Sequence, residues 1–184
     1  MAEASRRDLV LNTAQELFAQ RGYDGTPISQ IAAGAGVSKA AVSFHFESKE
    51  TMLAELVEPL LSDLEAVFDL QRDRSWPDGV WEIAGDFLDT LVRHHQVAVW
   101  VDSDRGVHDR APFGERLLAI HSMLVDVLCA NSDRTSERVK AISAAGGFWR
   151  PLRTLTQEEI IAHRQAILTA ALSSYGEVTQ SQPA

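Results

Sequence analysis

Residues 26–49 read TPISQIAAGAGVSKAAVSFHFESK, and the fold turns on this stretch. Thr26-Pro27 is a helix start signal, a capping hydroxyl followed by a proline whose fixed φ suits the first helical position. The short helix it opens, Ile28 to Ala35, is stopped by Gly36. Ser38 then caps a second short helix, Lys39 to Phe46. Two short helices around a glycine-containing turn are the parts of a helix-turn-helix. Ala32 and Gly36 let the two helices cross closely, and Ile31, Val37 and Val42 lock the crossing. The pattern is loose, so spacing alone also fits two packed helices of an ordinary bundle.

If the second helix meets nucleic acid, its residues sort by chemistry. Ser38 leaves backbone N–H groups open at a helix start, where anions are favoured. Lys39 carries a flexible point charge for a phosphate or a guanine edge. Ala40, Ser43 and Phe44 make up the exposed face, small groups beside one apolar ring. Lys49, at the start of the next helix, is placed to clamp another phosphate.

Outward from this stretch the apolar spacing stays helical, with no alternating strand run. Ahead of it, a helix starts after Ser5, carries Leu9, Thr13, Ala14, Leu17 and Phe18, and ends at Gly22. Behind it, Ser48 caps a long helix with Leu53, Val57, Leu60, Leu64 and Val67 in phase, fading in the polar stretch 71–75. Further helices are predicted from about Asp78 to His95, through Phe113, Leu117, Ile120, Leu124 and Leu128, and from Asp133 to Arg150. The last of these must end or kink at Pro151, whose ring cannot continue the backbone ladder. Thr156-Gln157-Glu158-Glu159 is a capping box, opening a final helix that runs to Tyr175. The tail 177–184 frays. The fold class is all-α.

Composition narrows the function. The chain has 184 residues, with 45% apolar and 23% charged side chains, which excludes a disordered polymer. No apolar run approaches the ~20 residues of a membrane span, and MAEASRRDLV lacks the hydrophobic segment of a secretory leader. One cysteine, Cys129, makes neither an intrachain disulfide nor a cysteine-based zinc site. These features predict a soluble, cytoplasmic protein. The net charge of −9 opposes nucleic-acid binding, but it is unevenly spread. Residues 1–50 hold five basic and six acidic side chains, so the acidity lies in the body.

Residues 9–53 closely resemble the N-terminal domain of the TetR family of bacterial transcriptional regulators. The resemblance is carried by Ala14, Leu17-Phe18, Gly22-Tyr23, Thr26, Ile28, Ile31-Ala32, Ala35-Gly36-Val37-Ser38-Lys39, His45-Phe46 and Ser48-Lys49. It implies a three-helix helix-turn-helix domain over 1–47 and a helical effector-binding and dimerisation domain over 48–176. It further implies that Ser38, Lys39, His45 and Lys49 touch phosphates, that Thr26 is among the DNA-binding residues, and that Ala40, Ser43 and Phe44 face the groove. Where the family usually has a DNA-contacting Tyr, this chain has Ser43. The implied function is a ligand-responsive repressor, homodimeric through the last two long helices, about 134–150 and 157–175. Its partners are then a palindromic operator and a small-molecule effector.

The body sequence says less by itself. Two adjacent glycines follow Ala141, Ala144 and Ala145, and each costs about 1 kcal/mol against alanine in a helix interior. Close approach across a dimer seam accounts for them, and so does a kink before Pro151. Trp81, Phe87, Trp100 and Phe113, with Leu117 and His121, are candidates to line an apolar effector pocket, although aromatics at helical spacing also serve as plain core. Asp102, Asp104, His108 and Asp109 fall in DSDRGVHD, which lacks the glycine and distal glutamate of a calcium loop. That string reads as a solvated loop, and neither metal nor cofactor is expected. No HExxH, Gly-x-Ser-x-Gly or GxxxxGK[ST] string is present, so no catalytic set is expected. The rivals are a DNA-binding head with a protein-interaction body, and a small α-helical enzyme or lipid carrier.

Overall fold

The computed structural model describes residues 6–69, 78–130 and 132–173. Among them the regular elements are helices: α1 (Arg6–Arg21), α2 (Ile28–Gly34), α3 (Lys39–His45), α4 (Lys49–Asp69), α5 (Asp78–Arg93) and α6 (His95–Ser103). Then follow α7 (Arg105–His108), α8 (Phe113–Leu128), α9 (Thr135–Thr154), α10 (Gln157–Ala162) and α11 (Arg164–Leu172). The predicted cap at Ser5, the polar stretch 71–75 and the tail 177–184 lie outside the described residues. Two compact units emerge, one reaching to Ser62 and including Gln96–Arg116, the other made of Asp63–His95 and the described residues from Leu117 onward.

In the first unit the sequence signals act locally. Helix α1 buries Val10, Ala14 and Phe18, a stripe at four-residue steps. Gly22, at φ +76, ends it by donating its N–H to the Phe18 carbonyl at 2.8 Å. Gly36, at φ +65, makes the turn between α2 and α3, and Val37 N–H closes it on the Ala32 carbonyl at 3.0 Å. A Cβ on Gly34 would stand 2.8 Å from the Thr13 methyl, so α1 and α2 approach closely there. Ser38 Oγ accepts from Ala41 N–H at 3.1 Å, and Ser48 Oγ from Thr51 N–H at 3.1 Å, as expected of N-caps.

Thr26 departs from its expected role. Its hydroxyl is fully buried and faces the carbonyls of Gly22 (2.9 Å) and Leu17 (3.2 Å), satisfying the end of α1 instead of capping α2. Pro27 occupies the N-cap position itself. The segment after His94 also differs from expectation. The string DSDRGVHD, read as a loop over 102–109, holds the last two residues of α6 and the whole of α7, and α6 itself was not among the expected helices. Asp104 explains α7, because its side chain accepts from Gly106 N–H at 2.8 Å and so caps that helix.

In the second unit α11 packs on α9 and α5, and α10 on the same two helices. Phe87 sits between Phe68 and Phe148, with ring centres 6.2 and 6.1 Å away. Arg164 grips Asp89 with two parallel bonds, 2.6 Å from Nε and 2.8 Å from Nη2. Gly85 makes room for that guanidinium, since a Cβ there would lie 2.7 Å from Nη2. Of the two outcomes expected at Pro151, an end or a kink, the end does not occur. Helix α9 runs on to Thr154, because Leu152 is buried and the Pro151 carbonyl still accepts from Leu155 N–H at 2.9 Å. The Thr156 capping box is present, but the final helix breaks at His163, where φ is −114 and ψ 20.

Candidate nucleic-acid interface

Helix α3 presents one face outward because the other is anchored. Val42 and Phe46 are buried, at 0% and 2% exposure, and Arg7 lies over the Phe46 ring at 4.8 Å. That fixes the helix phase, so Lys39, Ala40, Ser43 and Phe44 all point to solvent. Phe44 is 85% exposed, the highest value for any large apolar side chain among the described residues. Among the described residues its ring neighbour is His45, edge-on at 5.2 Å, and His45 itself is half-buried. Lys39 makes no ion pair or hydrogen bond among the described residues, so its charge is available to a partner. Of the eight residues expected at DNA, five lie together on or at the start of α3 with open surface: Ser38, Lys39, Ala40, Ser43 and Phe44.

The other three sit differently. His45 is partly withdrawn, and Thr26 is turned wholly inward. Lys49 has an internal task in place of an open phosphate clamp. Its ammonium donates to the carbonyls of Tyr23 (2.9 Å) and Thr26 (3.2 Å) and lies 4.1 Å from the Tyr23 ring centre. Burial holds its pKa below the ordinary lysine value. Lys49 therefore ties the start of α4 to the turn that follows α1.

Tyr23 is the centre of that turn. Its ring is fully buried, packs on Phe18 at 5.2 Å and has Arg110 4.5 Å from its centre. Burial, aided by the neighbouring Glu50 charge, pushes the phenol up to about 12. Asp104 holds the same turn from α6–α7. One carboxylate oxygen accepts from both Tyr23 N–H and the Trp100 indole N–H, each at 2.6 Å. Trp100 in turn stacks on Phe18 at 5.4 Å, and Arg110 bridges to Asp24 at 2.8 Å. Sequence reading missed this role of Asp104, although Asp-x-Gly with Gly two places on is a helix-capping signal.

The six residues expected at an effector pocket are not gathered in one unit. Trp100 and Phe113 are buried in the first, where Trp100 also borders an open, partly polar cleft of about 380 Å³ with Arg21, Asp24 and Arg105. Phe87 belongs to the aromatic core of the second, Trp81 and Leu117 are half-buried there, and His121 is exposed.

Residues 10–56, which hold α2, α3 and the turn between them, match the model of the bacterial regulatory proteins of the tetR family. The HTH-type transcriptional repressor KstR2 of Mycobacterium tuberculosis is 32% identical over 133 residues, 67% of this chain and 65% of the relative. This chain belongs to the TetR family. KstR2 of Mycolicibacterium smegmatis is 31% identical over 114 residues, 60% of this chain and 55% of the relative. The chain thus spans between half and two thirds of the length of these relatives. The solved structure of the ketosteroid transcriptional regulator KstR2 of M. tuberculosis shares the fold, with a TM-score of 0.68 at 23% identity, over 91% of this chain and 95% of that one. The match to the family model ends within α4, whereas the match to KstR2 covers 67% of the chain and so extends into the body. Among the described residues no helix is long and apolar enough to cross a membrane, and no group of His, Cys, Asp and Glu is arranged to hold a metal ion.

Proposed function

We propose that this chain is a cytoplasmic transcriptional repressor that binds operator DNA as a homodimer and is released by a small-molecule effector. The observation that carries the reading is α3: anchored by Val42 and Phe46, it exposes a contiguous face of Lys39, Ala40, Ser43 and Phe44. Small side chains at Ala40 and Ser43 permit close approach to base edges, and the one open cation beside them meets the phosphate-bearing wall. In a dimer two such helices enter successive major grooves about 34–36 Å apart. Residues 1–50 are close to neutral, so the acidity of the body weakens non-specific binding without excluding a specific site.

The seam we assign to α9 and α10 is supported by their open apolar groups. Val139, Ile142 and Ile161 are 57%, 50% and 60% exposed, and Gly146 continues the Val139–Ile142 face, with no described residue outside its own stretch of helix within 4 Å of where a Cβ would stand. Its neighbour Gly147 has another use, since a Cβ there would meet Ala171 of α11 at 3.1 Å. The effector acts by preferring the arrangement that does not fit DNA, so by linkage operator lowers effector affinity by the same factor.

Titration of a random-sequence duplex at 50–200 mM salt tests the DNA-binding claim. Each phosphate neutralised contributes about 0.9 to the slope of log affinity against log salt, so Lys39→Ala, twice per dimer, should flatten that slope by about two. Lys49→Ala, which removes an internal tie, should leave the slope in place. Equal slopes for wild type and Lys39→Ala contradict the assignment.

A further inference from the structure

Phe44 poses a chemical question that phosphate contacts leave unanswered. A phenyl ring 85% exposed on a short helix is unfavourable in water, and it neither donates nor accepts hydrogen bonds. Among the described residues its ring partner is His45, edge-on at 5.2 Å, while the residues that hold α3, Val42 and Phe46, are buried on the other face. Beside it the recognition face offers one ammonium, Lys39, one hydroxyl, Ser43, and the methyl of Ala40. Base edges in the major groove are almost wholly polar, with a single apolar exception, the C5-methyl group of thymine.

We infer that Phe44 is the specificity-determining residue of the DNA-binding face and reads a thymine by its methyl group. The inference rests on the DNA-binding reading above and goes beyond it by naming the base and the atom recognised. Ala40, one turn earlier on the same face, leaves the space that lets the ring reach the groove floor. Ser43 is too short to compete for the same base edge. Lys39 supplies the polar contact next to it, so each half-site carries a methyl-bearing step beside the lysine contact. Arginine, which reads guanine bidentately, is absent from this helix, so the methyl contact carries an unusually large share of the discrimination.

The test uses the whole protein and a duplex recovered by selection from random sequence. Each thymine of the duplex is replaced in turn by deoxyuridine, which deletes the methyl and keeps every hydrogen bond. At one thymine per half-site the replacement should weaken binding by about three- to fivefold, the weight of one buried methyl-sized group, and replacement in both half-sites should multiply the two. Phe44→Ala should bind thymine and uracil duplexes alike, whereas Lys39→Ala should keep the difference while binding more weakly to both. Phe44 is exposed, so its replacement leaves the fold intact, which a matching thermal melt checks. A methyl dependence that persists in Phe44→Ala, or none at any thymine, overturns the inference and leaves DNA binding standing. A pool with no enriched duplex overturns both.

Discussion

Asp104→Ala should lower the stability of the protein by about 3–4 kcal/mol, a large share of the 5–15 kcal/mol typical of a whole domain. The side chain accepts from three N–H groups, those of Tyr23, the Trp100 indole and Gly106, at 2.6–2.8 Å. Tyr23 and Trp100 are buried at 0% and 3% exposure, so water cannot replace the lost acceptor without opening the turn. Each buried donor left unpaired costs about 1–3 kcal/mol, partly relieved by relaxation. Asp104→Asn keeps one acceptor oxygen and should lose less than half as much. Urea unfolding followed by far-ultraviolet dichroism gives both values. A loss under about 1 kcal/mol for the alanine variant would mean that Phe18, Trp100 and Tyr23 hold the turn by packing alone.

Ile142→Asp should abolish dimerisation and lower operator affinity by about a thousandfold or more. Ile142 is half exposed within one chain, so a charge there costs the isolated fold little, about 0.5 kcal/mol. Across a two-fold seam the same substitution brings two carboxylates into an apolar contact and removes apolar area twice. A protein with a single head then meets one half-site, and its affinity falls from the specific range toward the non-specific one. Sedimentation gives the oligomeric state and anisotropy titration the affinity. A variant that stays dimeric and binds as before would place the seam elsewhere than on this face of α9.

Much of the head was legible because its signals are local. Gly22 and Gly36 sit where positive φ is needed, Ser38 and Ser48 cap the helices that follow them, and the apolar period through Val42 and Phe46 sets which residues of α3 face out. Thr26 and Lys49 read differently in sequence and structure for the opposite reason. Their partners are backbone carbonyls four to 26 residues away, and no spacing rule announces a carbonyl. Helix α6 was hidden by its composition. Val97, Val99 and Val101 are weak helix formers, and the segment is helical because tertiary burial of Val97, Ala98, Trp100 and Val101 outweighs propensity. At Pro151, where an end or a kink was expected, the burial of Leu152 carries α9 past a residue that by itself breaks helices. In the body, aromatic periodicity placed Phe87 on a buried helix face but carried no information on whether such a position lines a cavity or fills a core.

The central claim is that two copies of α3 read a two-fold symmetric site on DNA. Selection of random-sequence duplexes by the purified protein, with sequencing of the bound pool, tests it most directly. The account predicts an inverted repeat whose half-sites lie one helical turn apart, about 10 base pairs, or a multiple of that. A pool that stays as random as it began, in the absence of any added effector, would contradict it.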